Sequence, residues 1–380
     1  MKRILILHTG GTITMQLHDQ ERDGRSSHPG DADSRRRNVN RVREISPDTE
    51  DDLRRDTEHA GGRDHGHPDQ DDGPQFNLDF FDQQIPGLRE IADVESETLF
   101  LEDSSEVTPE HWKKLALALE KHHSSYDGFV VLHGTDTMAY TASALSFCLK
   151  QLDKPVVFTG SQVPLSNRRT DARRNLINAV ELATLHVPEV TICFNDKVYR
   201  GNRSTKISIG DFDAFASPNH PLIAEFGLRL QIHARYRPVS RPFHAEPLFH
   251  TGVRLIRLFP GMDFRGLIPP DTELVKAIII EAYGSGNMPV RHVGDFLNAL
   301  EDYAAQGGIV VVTSQALYDE VDLEKYEGGR RALSLGAISA GDMTIEASIT
   351  KLMYLIGRYQ DAAVVRDHFQ RNLAGERSDR

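Results

Sequence analysis

Apolar positions along the chain follow two periods. Short uninterrupted runs at 4–7, 128–132, 155–158 and 190–194 read as strands buried on both faces of a parallel sheet. Between them, apolar residues recur at helical spacing. The helix expected to start at Pro109 carries Trp112, Leu115 and Leu119 on one face, with Thr108 as its cap and Glu110 in its first turn. Further helices are expected over 138–149 and over 170–185, the latter with Leu176, Ile177, Val180 and Leu182 inward. A short amphipathic piece is read at 85–94 and a strand at 97–101. The alternation restarts at 253–259, with a strand at 276–283, a helix over 293–306 ended by Gly307 and Gly308, a strand at 309–313 and a closing helix at 347–356. The intervening stretch 216–250, rich in Pro, His and Arg with weak periodicity, reads as a linker. The expected class is α/β: a larger N-terminal doubly wound parallel-sheet domain (1–215) and a smaller C-terminal α/β domain (251–380).

One stretch breaks the pattern. Residues 19–75 are dense in Asp, Arg, Glu, His, Gly and Ser, and positions 19–73 contain no aromatic residue. Such a segment cannot bury enough apolar surface to offset its ordering entropy, so a disordered polar insertion is expected there. Its histidines, His28, His59, His65 and His67, read as part of a solvated loop, because no second ligand cluster of defined spacing accompanies them.

The 380 residues carry a net charge of −12, which argues against a sequence-independent grip on nucleic acid. Two cysteines, Cys148 and Cys193, fall in a helix-like and a strand-like run. They read as free buried thiols and supply no zinc or disulfide framework. No apolar stretch approaches membrane-spanning length. The apolar run after Met1, Lys2 and Arg3 is too short for a signal peptide, so a cytosolic protein without membrane partner, metal or cofactor is expected. Phosphate loops, dinucleotide fingerprints, nucleophile elbows and the paired-histidine zinc motif are all missing.

What recurs is glycine beside a hydroxyl at strand ends: Gly10, Gly11 and Thr12; Gly134, Thr135, Asp136 and Thr137; Thr159, Gly160 and Ser161. The C-terminal ends of parallel strands are where such sheets collect ligands. A lone Gly-Gly-Thr reads as a capped turn, and Lys206 unaided reads as a surface lysine. Together they suit acyl transfer. A threonine hydroxyl needs a base, a desolvated lysine can serve as one, and glycine-rich turns offer N–H groups to an oxyanion.

TGGTI at 9–13, HGTDT at 133–137 and Thr205 with Lys206 resemble, in this order, the bacterial-type L-asparaginases. Asp103, Ser104 and Ser105, and RGNRSTK at 200–206, are most similar to the cytoplasmic type I branch. The resemblance covers nearly the whole chain except 19–75. It implies Thr12 as the nucleophile attacking the side-chain amide of asparagine, with Thr135 and Lys206 handling protons. It implies Asp136 on the substrate's α-ammonium, and Ser104 with Asp103 alongside on its α-carboxylate. It further implies that Asn287 and Glu320 complete a neighbouring subunit's site, hence a homodimer or homotetramer. The family carries a lid tyrosine soon after the first motif. Here no tyrosine precedes Tyr126, and the polar insertion occupies that place. Two other readings stay open: the amidase subunit of a tRNA-dependent amidotransferase, and a protein that binds asparagine without turnover.

Overall fold

The computed structural model describes residues 1–14, 84–85, 87–234, 236, 241–291 and 293–379. The insertion expected at 19–75 lies outside them. Among the described residues the large sheet has eight strands: β1 (Arg3–Gly10), β2 (Asp93–Glu102), β3 (Gly128–Leu132), β4 (Val156–Thr159), β5 (Val190–Phe194), β6 (Lys197–Arg200), β7 (Ala224–Phe226) and β8 (Leu230–Ile232). Their order is β8-β7-β6-β5-β4-β3-β1-β2. The five from β5 to β2 pair in parallel. Because β1 lies between β2 and β3, the winding direction reverses beside it, which opens a crevice at the strand ends.

The sheet departs from the all-parallel expectation at β6, β7 and β8, which pair antiparallel. A two-residue turn joins β5 to β6, with Asn195 and Asp196 both at positive φ (47° and 64°), as a tight hairpin of the right twist requires. Strands β7 and β8 lie inside the stretch read as linker, and His244–Ala245 there pairs with Leu149–Lys150. Edge strands of two or three residues, largely exposed, are too short to display a period. Strand β2 begins earlier than its apolar run, because Asp93 pairs with Arg3 and its N–H donates to the Lys2 carbonyl (2.9 Å).

Helices α1 (Leu88–Ile91), α2 (Pro109–His122), α3 (Met138–Cys148) and α4 (Ala172–Ala183) cover the sheet. The Thr108 cap is in place, its N–H donating to His111 Nδ1 (3.1 Å). Buried side chains split by face: Ile4, Ile6, Val130 and Leu132 pack with α4, whereas Leu5, Leu7, Phe129 and Val131 pack with α2 and α3.

The second sheet is parallel throughout, in the order β9 (Val253–Arg257), β10 (Ala277–Ala282), β11 (Ile309–Ser314), β12 (Ile338–Ser339). Helices α5 (Phe296–Ala305), α6 (Glu327–Ser334), α7 (Ile345–Arg358) and α8 (Ala362–Gln370) flank it. The sequence pattern missed α6 and α8. Helix α6 opens with Gly328 and Gly329, poor helix formers, yet a Cβ on them would lie 2.1 Å from the Met288 carbonyl oxygen and 2.4 Å from that of Leu323. Close packing, not propensity, places that helix.

Helix α3 is buried along almost its whole length. It lies between the large sheet and α7, and one hydrophobic core runs from β1 through α3 to β10, β11 and α7. Aromatic contacts cross this seam: Phe147 stacks on Tyr354 (6.5 Å), which meets Phe249 (6.2 Å), which meets Trp112 (5.3 Å). Among the described residues no helix is long and apolar enough to cross a membrane, and both cysteines are free and buried.

Candidate active site

The crevice beside β1 is where the glycine turns meet. Strand β1 ends at Gly10 and the chain turns through Gly10 (φ 109°) and Gly11 (φ 93°) into a 3-10 turn, Thr12–Thr14. A Cβ on Gly10 would sit 2.1 Å from the Glu102 carbonyl oxygen, and one on Gly11 would sit 2.6 Å from Gly134 N. A Cβ on Gly134 would in turn meet Ser104 Oγ at 2.7 Å. At Gly10 and Gly11 only glycine tolerates both this backbone region and this spacing, and at Gly134 the spacing alone excludes a side chain. The loops after β1, β2 and β3 therefore touch, and Thr12, Ser104 and Thr135 follow or form those contacts. Thr137 Oγ1 donates to the Ser104 carbonyl (2.6 Å), tying the second loop to the third.

Lys206 closes the group from the other side. Its Nζ donates to Thr135 Oγ1 (2.8 Å) and to Asp136 Oδ1 (2.6 Å). The lysine side chain is mostly buried whereas Asp136 is exposed. Thr135 Oγ1 donates onward to Gln162 Oε1 (3.3 Å), and Gln162 Nε2 donates to the Ser208 and Asp211 carbonyls. Gln162 was missed as a site residue, although it stands in the third glycine turn, at the end of β4. Asp103 caps the Ser104–Glu106 turn, accepting from Ser105 N (2.8 Å) and Ser105 Oγ (2.6 Å). These bonds, the hydroxyl first, hold the Asp103 carboxyl below its usual range.

Thr205 fixes the backbone ahead of Lys206 by donating to Glu346 Oε1 of α7 (2.6 Å). Burial pushes the Glu346 carboxyl up, with the Thr205 hydroxyl opposing. Nothing in the local sequence marks Glu346, because the contact spans 141 residues. Beneath the third loop, His133 is buried, its ring between the Gly134 carbonyl (Nδ1, 2.8 Å) and Thr141 Oγ1 (Nε2, 3.0 Å). Burial lowers its pKa from 6.5 to about 4. It stays neutral and supports the loop.

This histidine makes the fold acid-sensitive in a defined window. The unfolded chain takes up the proton near pH 6.5 and the folded chain only near pH 4, so stability is complete above pH 6.5 and is lost as pH falls toward 4. The expected loss from this residue is about 3 kcal/mol. Urea unfolding of the protein and of His133→Gln at pH 7 and pH 4.5 checks it; an equal loss in both excludes His133 as the cause.

Asn287 and Glu320 are not in this cluster. Both line a pocket of about 680 Å³ on the smaller domain, with Tyr283, Tyr318 and Tyr326. The groups brought into direct contact are thus Thr135, Asp136 and Lys206, with the loop of Ser104 and the turn that leads into Thr12 packed against theirs and Asp103 beside Ser104.

Escherichia coli L-asparaginase 1 is 41% identical to this chain over 283 residues, 73% of the chain and 82% of that protein. The chain belongs to the asparaginase family. Residues 65–239 match the family description "Asparaginase, N-terminal" and residues 252–369 match "Glutaminase/Asparaginase C-terminal domain". The first match begins after Thr12. Among solved asparaginases, the thermostable L-asparaginase of Thermococcus kodakarensis superposes with a TM-score of 0.77 at 31% identity, covering all of both chains. L-asparaginase I of Vibrio cholerae gives 0.75 at 31% identity over 99% of each chain. Family membership makes this chain an amidohydrolase acting on linear amides, and the asparaginase fold accounts for its two unequal α/β domains.

Proposed function

We propose that this member of the family hydrolyses L-asparagine to L-aspartate and ammonia in the cytoplasm through an ester on Thr12. The observation that carries the reading is Lys206 Nζ held between Thr135 Oγ1 and Asp136 Oδ1, in a loop packed against the glycine that precedes Thr12. Thr12 Oγ attacks the side-chain amide carbon as its proton passes toward Thr135 and Lys206. The C–N bond breaks, the nitrogen leaves with that proton as ammonia, and a β-aspartyl ester remains. Water then attacks the ester carbon, aspartate departs and the Thr12 hydroxyl is restored. Asp136, exposed at the mouth, takes the α-ammonium, and Ser104 donates to the α-carboxylate. Asp103 is an anion itself and already bonded to Ser105, so it shapes the turn that presents Ser104 rather than meeting the carboxylate. Asn287 and Glu320 serve the site of a second subunit. The net charge of −12 counts against service as an RNA-binding amidotransferase subunit.

The purified protein is expected to release ammonia from asparagine, and Lys206→Met to lower kcat by about 10²- to 10³-fold, the share carried by a positioned proton-transfer group. Asparagine binding by calorimetry without ammonia release would replace the enzyme with a binder.

A further inference from the structure

The segment after α8 folds back into a hook at 372–378, and a buried ion pair pins it. Lys351, in the middle of α7, is fully buried. Its Nζ donates to the Glu376 carboxylate and to the carbonyls of Phe369 (2.8 Å) and Arg371 (2.6 Å). Glu376, equally buried, also accepts from the N–H groups of Leu373 and Ala374. Asn372 closes the bend, its Nδ2 donating to the Arg377 carbonyl (2.8 Å) and its Oδ1 accepting from Gly375 N (2.7 Å). Every donor of the lysine has an acceptor, which is what makes a buried charge pair tolerable.

The outer edge of the hook grips the loop that carries Lys206. Asn202 Nδ2 donates to the Ala374 carbonyl (3.0 Å) and Arg203 Nε to the Gly375 carbonyl (2.8 Å). Arg203, itself 2% exposed, donates from Nη1 to Asp342 Oδ2 (2.9 Å), and Ser378 joins them through its N–H to Asp342 Oδ1 (3.0 Å) and its hydroxyl to Asp342 Oδ2 (2.6 Å). Two residues beyond Arg203, Thr205 is held by Glu346; the next residue is Lys206. All these partners of residues 202–205 come from the smaller domain.

We propose that the 372–378 hook is a positioning element for the reaction, setting Lys206 through Asn202 and Arg203. The inference rests on the role given above to Lys206. The hydrogen bonds given above join the hook to Asn202, Arg203 and Asp342 rather than to the loops bearing Ser104, Thr135 and Asp136, so kcat is expected to suffer more than KM.

The test uses full-length Arg203→Ala and Arg203→Lys, with kcat and KM for asparagine and the folded fraction from near-ultraviolet dichroism. Displacing a catalytic group by about 1 Å costs on the order of a hundredfold. Arg203→Ala is expected to lower kcat per folded molecule at least about tenfold with KM held within about twofold. Arg203→Lys, which keeps a cation beside Asp342 but loses the fork to Gly375, is expected to recover part of that loss. Unchanged kcat per folded molecule in Arg203→Ala overturns the proposal. Where that variant does not fold, an unaltered kcat in Arg203→Lys overturns it instead. Lys206→Met separates the two readings: full activity there removes the parent role, whereas a dead Lys206→Met beside a fully active Arg203→Ala removes only the hook.

Discussion

Replacing Thr12 by alanine is expected to reduce asparagine hydrolysis by more than about 10³-fold, the scale seen when a covalent nucleophile is deleted. The side chain is half-buried at the opening of a 3-10 turn, so losing its hydroxyl removes little packing. Thermal unfolding should therefore hardly move. Thr12→Ser keeps the hydroxyl and drops one methyl group, and it is expected to retain measurable turnover. Ammonia release at near-normal kcat from Thr12→Ala would give the attack to another group, with the hydroxyl of Thr135 the first to examine.

Gly11→Ala is expected to harm the fold and the site together. A left-handed backbone costs a residue with a Cβ about 1–2 kcal/mol, and Gly11 sits at φ 93°. The new methyl group would also meet Gly134 N at 2.6 Å and Gly134 Cα at 2.7 Å, main-chain atoms that cannot rotate away. Overpacking of that kind adds roughly 1–3 kcal/mol, so a loss of about 2–5 kcal/mol is expected by urea unfolding. Because the clash pushes the first loop off the third, kcat should fall with it. Gly261→Ala is the control, for Gly261 has a similar φ of 86° but no atom within 4 Å of its Cβ. Equal losses in the two variants would mean that backbone strain alone is at work and that the loops are free to part.

The parallel core of the fold was legible because its strands are short, apolar and flanked by helices of clear period. Val190–Phe194 coincides with the reading from the sequence, and α2 begins at the residue that Thr108 and Pro109 mark. What escaped was held by contacts distant in sequence. Strands β7 and β8 exist because Ala224 pairs with Val198. Helix α6 exists because two glycines admit neighbouring backbone. Within the site, the motifs pointed to Thr12, Thr135 and Asp136, and the family resemblance singled out Lys206, a residue without local signal. Gln162 could have been suspected from the repeated glycine turn. Glu346 and Arg203 could not, since their partners lie 141 and 139 positions away.

The interior shared by both sheets limits how substrate can arrive. Parting the two halves would bring Phe147, Tyr354, Phe249 and Trp112 into water, at about 1.5–3 kcal/mol for each large apolar side chain before any other contact is broken. A wide clam-shell motion is therefore closed to this molecule. Passage of a substrate into the crevice is expected to leave the seam between the sheets intact.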